Sequence, residues 1–200
     1  VSAYTLSALY FEGVKLGDTQ ATSTGILLAL CFLFVSRSQP LKHLSKKRPH
    51  SSIFHPSVLL SIFFQWLIHL AAIIGSLWLA KSALPVDRPD EDPDSPFKPS
   101  LVNSVMFLVS CAMQISSFVV NHRGHPFMEG LTENKGLAIC LGILSLVTAL
   151  SALEVSPEWN LFFELVPFPS FEFRLYIIGI MVADVVLAWI LDRIVCLIFN

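Results

Sequence analysis

The chain has 200 residues, of which 54 % are hydrophobic and 14 % charged, with a formal net charge of −2. A soluble domain carries roughly a quarter charged residues. The apolar residues also fall in blocks rather than stripes, so an ordinary soluble domain is excluded and a polytopic membrane protein is indicated. The near-zero charge balance gives no basis for nucleic-acid binding.

In chain order, the opening VSAYTLSALYF has no Met, charged leader or small-residue cleavage motif. It reads as the tail of a helix rather than as a signal peptide. Residues 1–16 are expected to form the end of a transmembrane helix and a short turn. Spans are then expected at 17–36, 56–80, 100–120, 135–153 and 171–200. The connecting segments are 37–55, 81–99, 121–134 and 154–170. Each block can cross about 30 Å of hydrocarbon at about 1.5 Å per residue as a helix. Strands of a membrane barrel would be shorter and would alternate strictly. The expected fold is all-α, a polytopic transmembrane bundle of five full spans plus the end of a sixth.

Charge placement orients the bundle. Segment 37–55 holds Arg37, Lys42, Lys46, Lys47 and Arg48 with no acid, and Arg123 and Lys135 flank the third loop. PVDRPDEDPDSPFKP is acidic and proline-rich, and EVSPEWNLFFELVPFPSFE has four acids and no Lys or Arg. The positive-inside rule puts the basic loops and the C-terminus in the cytosol.

Polar residues inside the spans are the candidates for function, because they are costly against lipid. In the first span, Asp18 and Thr22 lie one turn apart, and Gly25 and Ala29 continue that face. Two readings stay open: Asp18 caps the helix start with Thr19 and Gln20, or the patch is the polar wall of a transport cavity. Gln65 and His69 share a face of the second span, where an interhelical hydrogen bond is the expected use. The same use is expected of Gln114, Ser116 and Ser117 in the third. Asp184 is mid-span in the fifth, in a structural or substrate-binding role. Asp192 and Arg193 are expected at the cytosolic interface, anchored by Trp189. Cys31, Cys111, Cys140 and Cys196 all sit in apolar blocks without metal-ligand spacing, as small hydrophobes. The pair His122 and His125 is too sparse for a metal site, and no phosphate-binding loop or catalytic motif occurs.

The pieces GDTQAT, SRSQPL with LSKKRP, PSLVNS and NHRGHPFMEGLTENKG resemble the C-terminal membrane region of the class-five P-type ATPases, in the branch resident in the endoplasmic reticulum membrane. The resemblance implies that residues 1–16 end the fifth helix of a pump and that the five blocks are its sixth to tenth helices. It implies an ATP-driven translocase that removes mis-targeted or misoriented transmembrane helices, such as mitochondrial tail anchors. ATP, Mg²⁺ and the phosphate-accepting Asp would belong to parts of the pump outside this chain, which alone lacks the catalytic motifs. The implied partners are the rest of the same pump, hydrophobic transmembrane peptides and the bilayer. In such pumps the sixth helix lines a laterally open groove, so the resemblance assigns the cavity lining to Asp18, Gln20, Thr22 and Gly25, with Gln114 and Asp184 as further candidates and no metal site. The alternatives are a Mn²⁺ or Ca²⁺ transporter of the same architecture and a non-catalytic helical scaffold.

Overall fold

A computed structural model describes residues 2–43, 45–46, 52–84 and 96–199. Lys47, Arg48 and most of the acidic stretch after Leu84 lie outside the described residues. The elements are α1 (Ser2–Phe11), α2 (Asp18–Ser36), α3 (Pro56–Ser82), α4 (Leu101–Asn121), α5 (Lys135–Ala152), α6 (Pro157–Phe162) and α7 (Phe171–Phe199). The described residues hold no β-strand, only one isolated bridge between Pro40 and Met128. The chain is an all-helical bundle.

Local chemistry sets the helix starts. Ser100 Oγ accepts from Asn103 N–H at 3.2 Å to start α4, and Asn134 Oδ1 accepts from Leu137 N–H at 3.0 Å to start α5. Ser170 Oγ accepts from Phe173 N–H at 3.1 Å to start α7. Each side chain satisfies a donor that has no partner within the helix. Pro56 and Pro157 open α3 and α6, where a missing N–H costs nothing. The short α6 falls inside segment 154–170, where no element was expected.

Helices α2, α3, α4 and α5 are long and apolar enough to cross a bilayer by length and composition. α7 is longer, at 29 residues, and carries more charge, with Glu172, Arg174, Asp184, Asp192 and Arg193. α4 is the hub. It has no charged residue, and 78 % of its apolar stretch is buried inside the protein, against 11 % for α2. α3 and α7 pack along one side of α4, α5 and α1 meet it elsewhere, and α2 leans chiefly on α5. Val102, Val105, Met106, Val109 and Met113 of α4 form the centre of the main core with Ile73 of α3 and Ile177 of α7. A smaller core of Cys31, Leu137, Cys140 and Leu141 joins α2 to α5.

The ends of α2 and α4 lie together. Leu41 N–H donates to Phe127 C=O at 3.2 Å and Glu129 N–H to Gln39 C=O at 3.0 Å. The segment after α2 and the α4–α5 loop are therefore clamped at one end of the bundle. At the other end, Lys81 Nζ pairs with Glu12 Oε1 at 2.9 Å, and Arg174 pairs with Glu154.

Candidate functional site

A cavity of about 610 Å³ opens between the C-terminal halves of α2 and α4. α2 contributes Leu28, Phe32 and Val35, and α4 contributes Gln114, Ser117, Phe118 and Asn121. On both helices this is the spacing of a single face. Met128 of the α4–α5 loop closes one end, and Ser38, His122 and Arg123 surround the mouth there. The α2 wall is thus apolar and the α4 wall largely polar.

Behind the polar wall runs a hydrogen-bonded seam where α3, α4 and α7 meet. Asp192, 2 % exposed, accepts from Arg123 Nη2 at 2.5 Å and from Ser61 Oγ at 2.6 Å. Gln65 Nε2 donates to Ser61 Oγ at 3.0 Å, and Gln65 and Asn121 exchange a reciprocal amide pair at 2.9 and 3.2 Å. One turn along α3, His69 Nδ1 lies 2.7 Å from Asp184 Oδ1, and His69 Nε2 lies 3.4 Å from Ser117 Oγ. Asp184 is 2 % exposed, and its Oδ2 has no partner among the described residues. Burying ionised groups is tolerated only when they are paired and hydrogen-bonded; the seam supplies partners to Asp192 and to Asp184 Oδ1.

The six expected site residues separate into three groups. Gln114 lines the cavity, and Asp184 stands behind it, joined to it through His69 and Ser117. Asp18, Thr22 and Gly25 share one exposed stripe of α2 that continues one to two turns on into the cavity-lining Phe32 but do not themselves line the cavity, and a Cβ built on Gly25 would meet nothing within 4 Å. Gln20 is fully buried and its amide is spent within the protein. Its Nε2 donates to Asn103 Oδ1 and to Phe163 C=O, each at 2.8 Å, while its Oε1 accepts from Gly17 N–H at 3.2 Å and Asn103 Nδ2 at 3.0 Å. Gln20 therefore ties the start of α2 to α4 and to the end of α6. Gly17 is the residue that caps α2; Asp18 sits in the first turn, where its charge suits the helix dipole.

Gln65 and His69 both bond across helices, as their shared face suggested. Ser117 does so too, but Ser116 Oγ is buried without a partner among the described residues. Asp192 is buried in the seam, where Arg123 and Ser61 reach it. Arg193 does stack over Trp189, 5.6 Å from the ring centroid. Three cysteines are buried and Cys196 is half-buried, and Cys31 and Cys140 bring their sulfurs to 3.5 Å. The cavity itself was missed. Its signal was present in Gln114, Ser117 and Asn121 at i, i+3 and i+7, facing Leu28, Phe32 and Val35 at i, i+4 and i+7.

The α4–α5 loop is built on one carboxylate. Glu133 Oε2 accepts from Gly130 N–H at 2.6 Å and lies 2.9 Å from His125 Nε2. The Gly130 N–H first, and His125 second, hold the Glu133 carboxyl below its ordinary range. Among the described residues, no three His, Cys, Asp or Glu side chains converge to hold a metal ion.

No protein-family model matches the chain. It is similar to the endoplasmic reticulum transmembrane helix translocase of Schizosaccharomyces pombe, at 36 % identity over 96 % of this chain and 16 % of the relative. The protein of the same name in Saccharomyces cerevisiae is 38 % identical over 94 % of this chain and 15 % of its own length. The "Probable manganese-transporting ATPase PDR2" of Arabidopsis thaliana is 39 % identical over 84 % of this chain and 14 % of its own length. The chain spans only about 15 % of the length of these curated relatives. The match nevertheless runs through nearly the whole bundle, and it places this chain, as a segment, in the family of class-five P-type ATPases that contains the endoplasmic reticulum transmembrane helix translocases.

Proposed function

We propose that this bundle is part of the membrane domain of an ATP-driven pump that removes misplaced transmembrane helices from the endoplasmic reticulum membrane. The observation that carries the reading is the two-sided cavity. An apolar wall of Leu28, Phe32 and Val35 faces a polar wall of Gln114, Ser117 and Asn121. A transmembrane peptide has an apolar body and polar flanks, and this arrangement accepts both without stranding a buried polar group. The outward face of α2, with Asp18, Thr22 and Gly25, would extend that surface toward the remaining helices of the pump or toward a substrate entering from lipid. The basic end of the bundle, with Arg37, Lys42 and Lys46, faces the cytosol on this reading, and so does the C-terminus.

ATP and Mg²⁺ find no matching site among the described residues. The sequence carries no phosphate-binding loop, and among the described residues no three His, Cys, Asp or Glu side chains converge on one point. Their chemistry belongs to the rest of the pump, and no step here runs through them. The name of the Arabidopsis relative raises a cation pump instead, a reading the cavity favours less because it is lined by no carboxylate, the usual ligand of a hard divalent cation.

The test is extraction of a mis-targeted tail-anchored reporter by the full-length pump. Leu28→Trp and Gln114→Leu should each slow extraction while leaving the pump inserted and folded. Normal clearance by both variants would remove the cavity from the transport path. Turnover driven by Mn²⁺ and indifferent to peptide would favour the cation reading.

A further inference from the structure

The short helix α6 turns aromatic side chains outward. Val155 just before it is 61 % exposed, and its own Trp159 and Phe162 are 49 % and 57 % exposed. We propose that the Trp159–Phe162 edge of α6 is a membrane-interface anchor, seated between the headgroups and acyl chains of the leaflet at this end of the bundle, and that it holds the start of α2 at a fixed depth.

A helix of six residues is not stable alone, so its place is built by the chain around it. α5 and α6 end in the same hydrogen-bond pattern. Glu154 N–H donates to Ser151 C=O at 3.1 Å and Val155 N–H to Leu150 C=O at 3.0 Å. Glu164 N–H donates to Leu161 C=O at 3.0 Å and Leu165 N–H to Asn160 C=O at 2.8 Å. This cap needs a left-handed residue, and Glu154 and Glu164, both at φ 54°, stand where glycine is usual. The chain therefore accepts a disfavoured conformation on both sides of α6. Phe163 roots the helix in the bundle. Its buried ring stacks with Trp159 at 6.2 Å and meets Phe107 of α4 at 5.7 Å. Its carbonyl accepts from Gln20 Nε2 at 2.8 Å, and Gln20 Oε1 accepts from the Gly17 N–H that caps α2. Whatever grips Trp159 and Phe162 thus also grips the start of α2.

Two observations make lipid the occupant of this edge. The first is continuity. Ile139, Ile143 and Leu146 stand exposed along one face of α5, a helix long and apolar enough to cross a bilayer. Val155 and α6 carry that apolar surface on where α5 ends. The second is the division of α6 itself. Trp159 and Phe162 lie one turn apart on one edge, while Glu158 and Leu161 lie one turn apart on another. Glu158 accepts from Ser156 Oγ at 2.9 Å and keeps its edge in water. Trp suits the boundary between the two, because its indole has an apolar body and one N–H for a headgroup oxygen. The anchor rests on the reading of the bundle as membrane-spanning, not on that of the cavity as the transport path.

The experiment places the photoreactive p-benzoylphenylalanine at Phe162 of the full-length pump in lipid nanodiscs, with the same residue at Ile143 as a lipid-facing reference. After illumination, mass spectrometry should find phospholipid adducts at both positions. Those at Phe162 should fall on the glycerol backbone and first acyl carbons, and those at Ile143 further down the chains. Adducts at Phe162 to another segment of the pump or to a second protein, or no adduct there, would overturn the proposal. Anchoring is read separately. Phe162→Ser should raise deuterium uptake at the start of α2 several-fold, and Phe162→Leu, apolar but without the ring, should not. Unchanged uptake in Phe162→Ser, or an equal rise in both, would overturn the hold on α2. Lipid adducts at Phe162 in a pump that extracts nothing would keep the anchor and discard the proposed function.

Discussion

Gln20 and Asn103 show how a polar side chain in a span can be structural without being a ligand site. Their two amides satisfy one another and reach Lys15, Gly17 and Phe163 besides. Losing one partner strands the other in a dry place, which costs about 1–3 kcal/mol. Gln20→Ala and Asn103→Ala should each lower the unfolding temperature in detergent, and the double variant should fall short of their sum, because the second change removes a group already stranded. Additive losses would mean the pair is not a unit. Arg123 and Asp192 follow the same logic with charge. Arg123→Ala leaves a buried carboxylate without its counter-charge, held only by the Ser61 hydroxyl, at a cost of about 3 kcal/mol. Adding Asp192→Asn to it should recover much of the loss, as read by thermal unfolding of the full-length protein.

At the scale of elements, the clamp between the end of α2 and the α4–α5 loop decides whether the cavity keeps its shape. Asn134 holds both sides: it caps α5, and its Nδ2 donates to Phe34 C=O at 2.9 Å and Ser38 Oγ at 2.8 Å. Gly124 makes the loop possible, since a Cβ there would collide with the backbone carbonyl of Glu129. Glu133 adds a pH dependence whose sign is fixed. Its carboxyl is held below the ordinary range by Gly130 N–H and then His125. Its contribution is therefore complete above the unfolded carboxylate range and is lost as pH falls through the folded value. The protection of the Gly130 amide, its exchange measured relative to the intrinsic rate at each pH, should fall on acidification, and Glu133→Gln should flatten that response. An amide equally protected at acid pH would contradict it. Segment boundaries of this kind were legible in the sequence, because runs of apolar residues and capping residues are local signals. The α2 face that lines the cavity was not. Asp18 drew attention by its charge, yet the described cavity is lined by Leu28, Phe32 and Val35, which look like any lipid-facing residues until α4 is set beside them.

For the whole molecule, the all-helical bundle was readable because hydrocarbon imposes one length on every span, whereas the short α6, too short to span, left no such signal. The polar seam was readable only as separate residues. Gln65, His69, Asp184 and Asp192 are up to 127 positions apart, and only packing of α3 and α7 against α4 makes them neighbours. The same packing sharpens the question of orientation. The segment after α2 and the α4–α5 loop are hydrogen-bonded to each other, so they share one side of the membrane, whichever side that is. Their cations then act together, and the positive-inside rule applies to the pair rather than to each loop alone. α6 and the Glu154–Arg174 pair lie at the opposite end. Single reporter cysteines at Ile53 and Leu161, both exposed, separate the two sides once the half-buried Cys196 is replaced by Ser. In sealed endoplasmic reticulum vesicles with the cytosolic face outward, an impermeant maleimide should label Ile53→Cys at once. It should label Leu161→Cys only after the membrane is permeabilised. The reverse pattern would invert the bundle, and equal labelling of both sites in intact vesicles would place the two loops on one side, against the single crossing made by each of α3, α4 and α5.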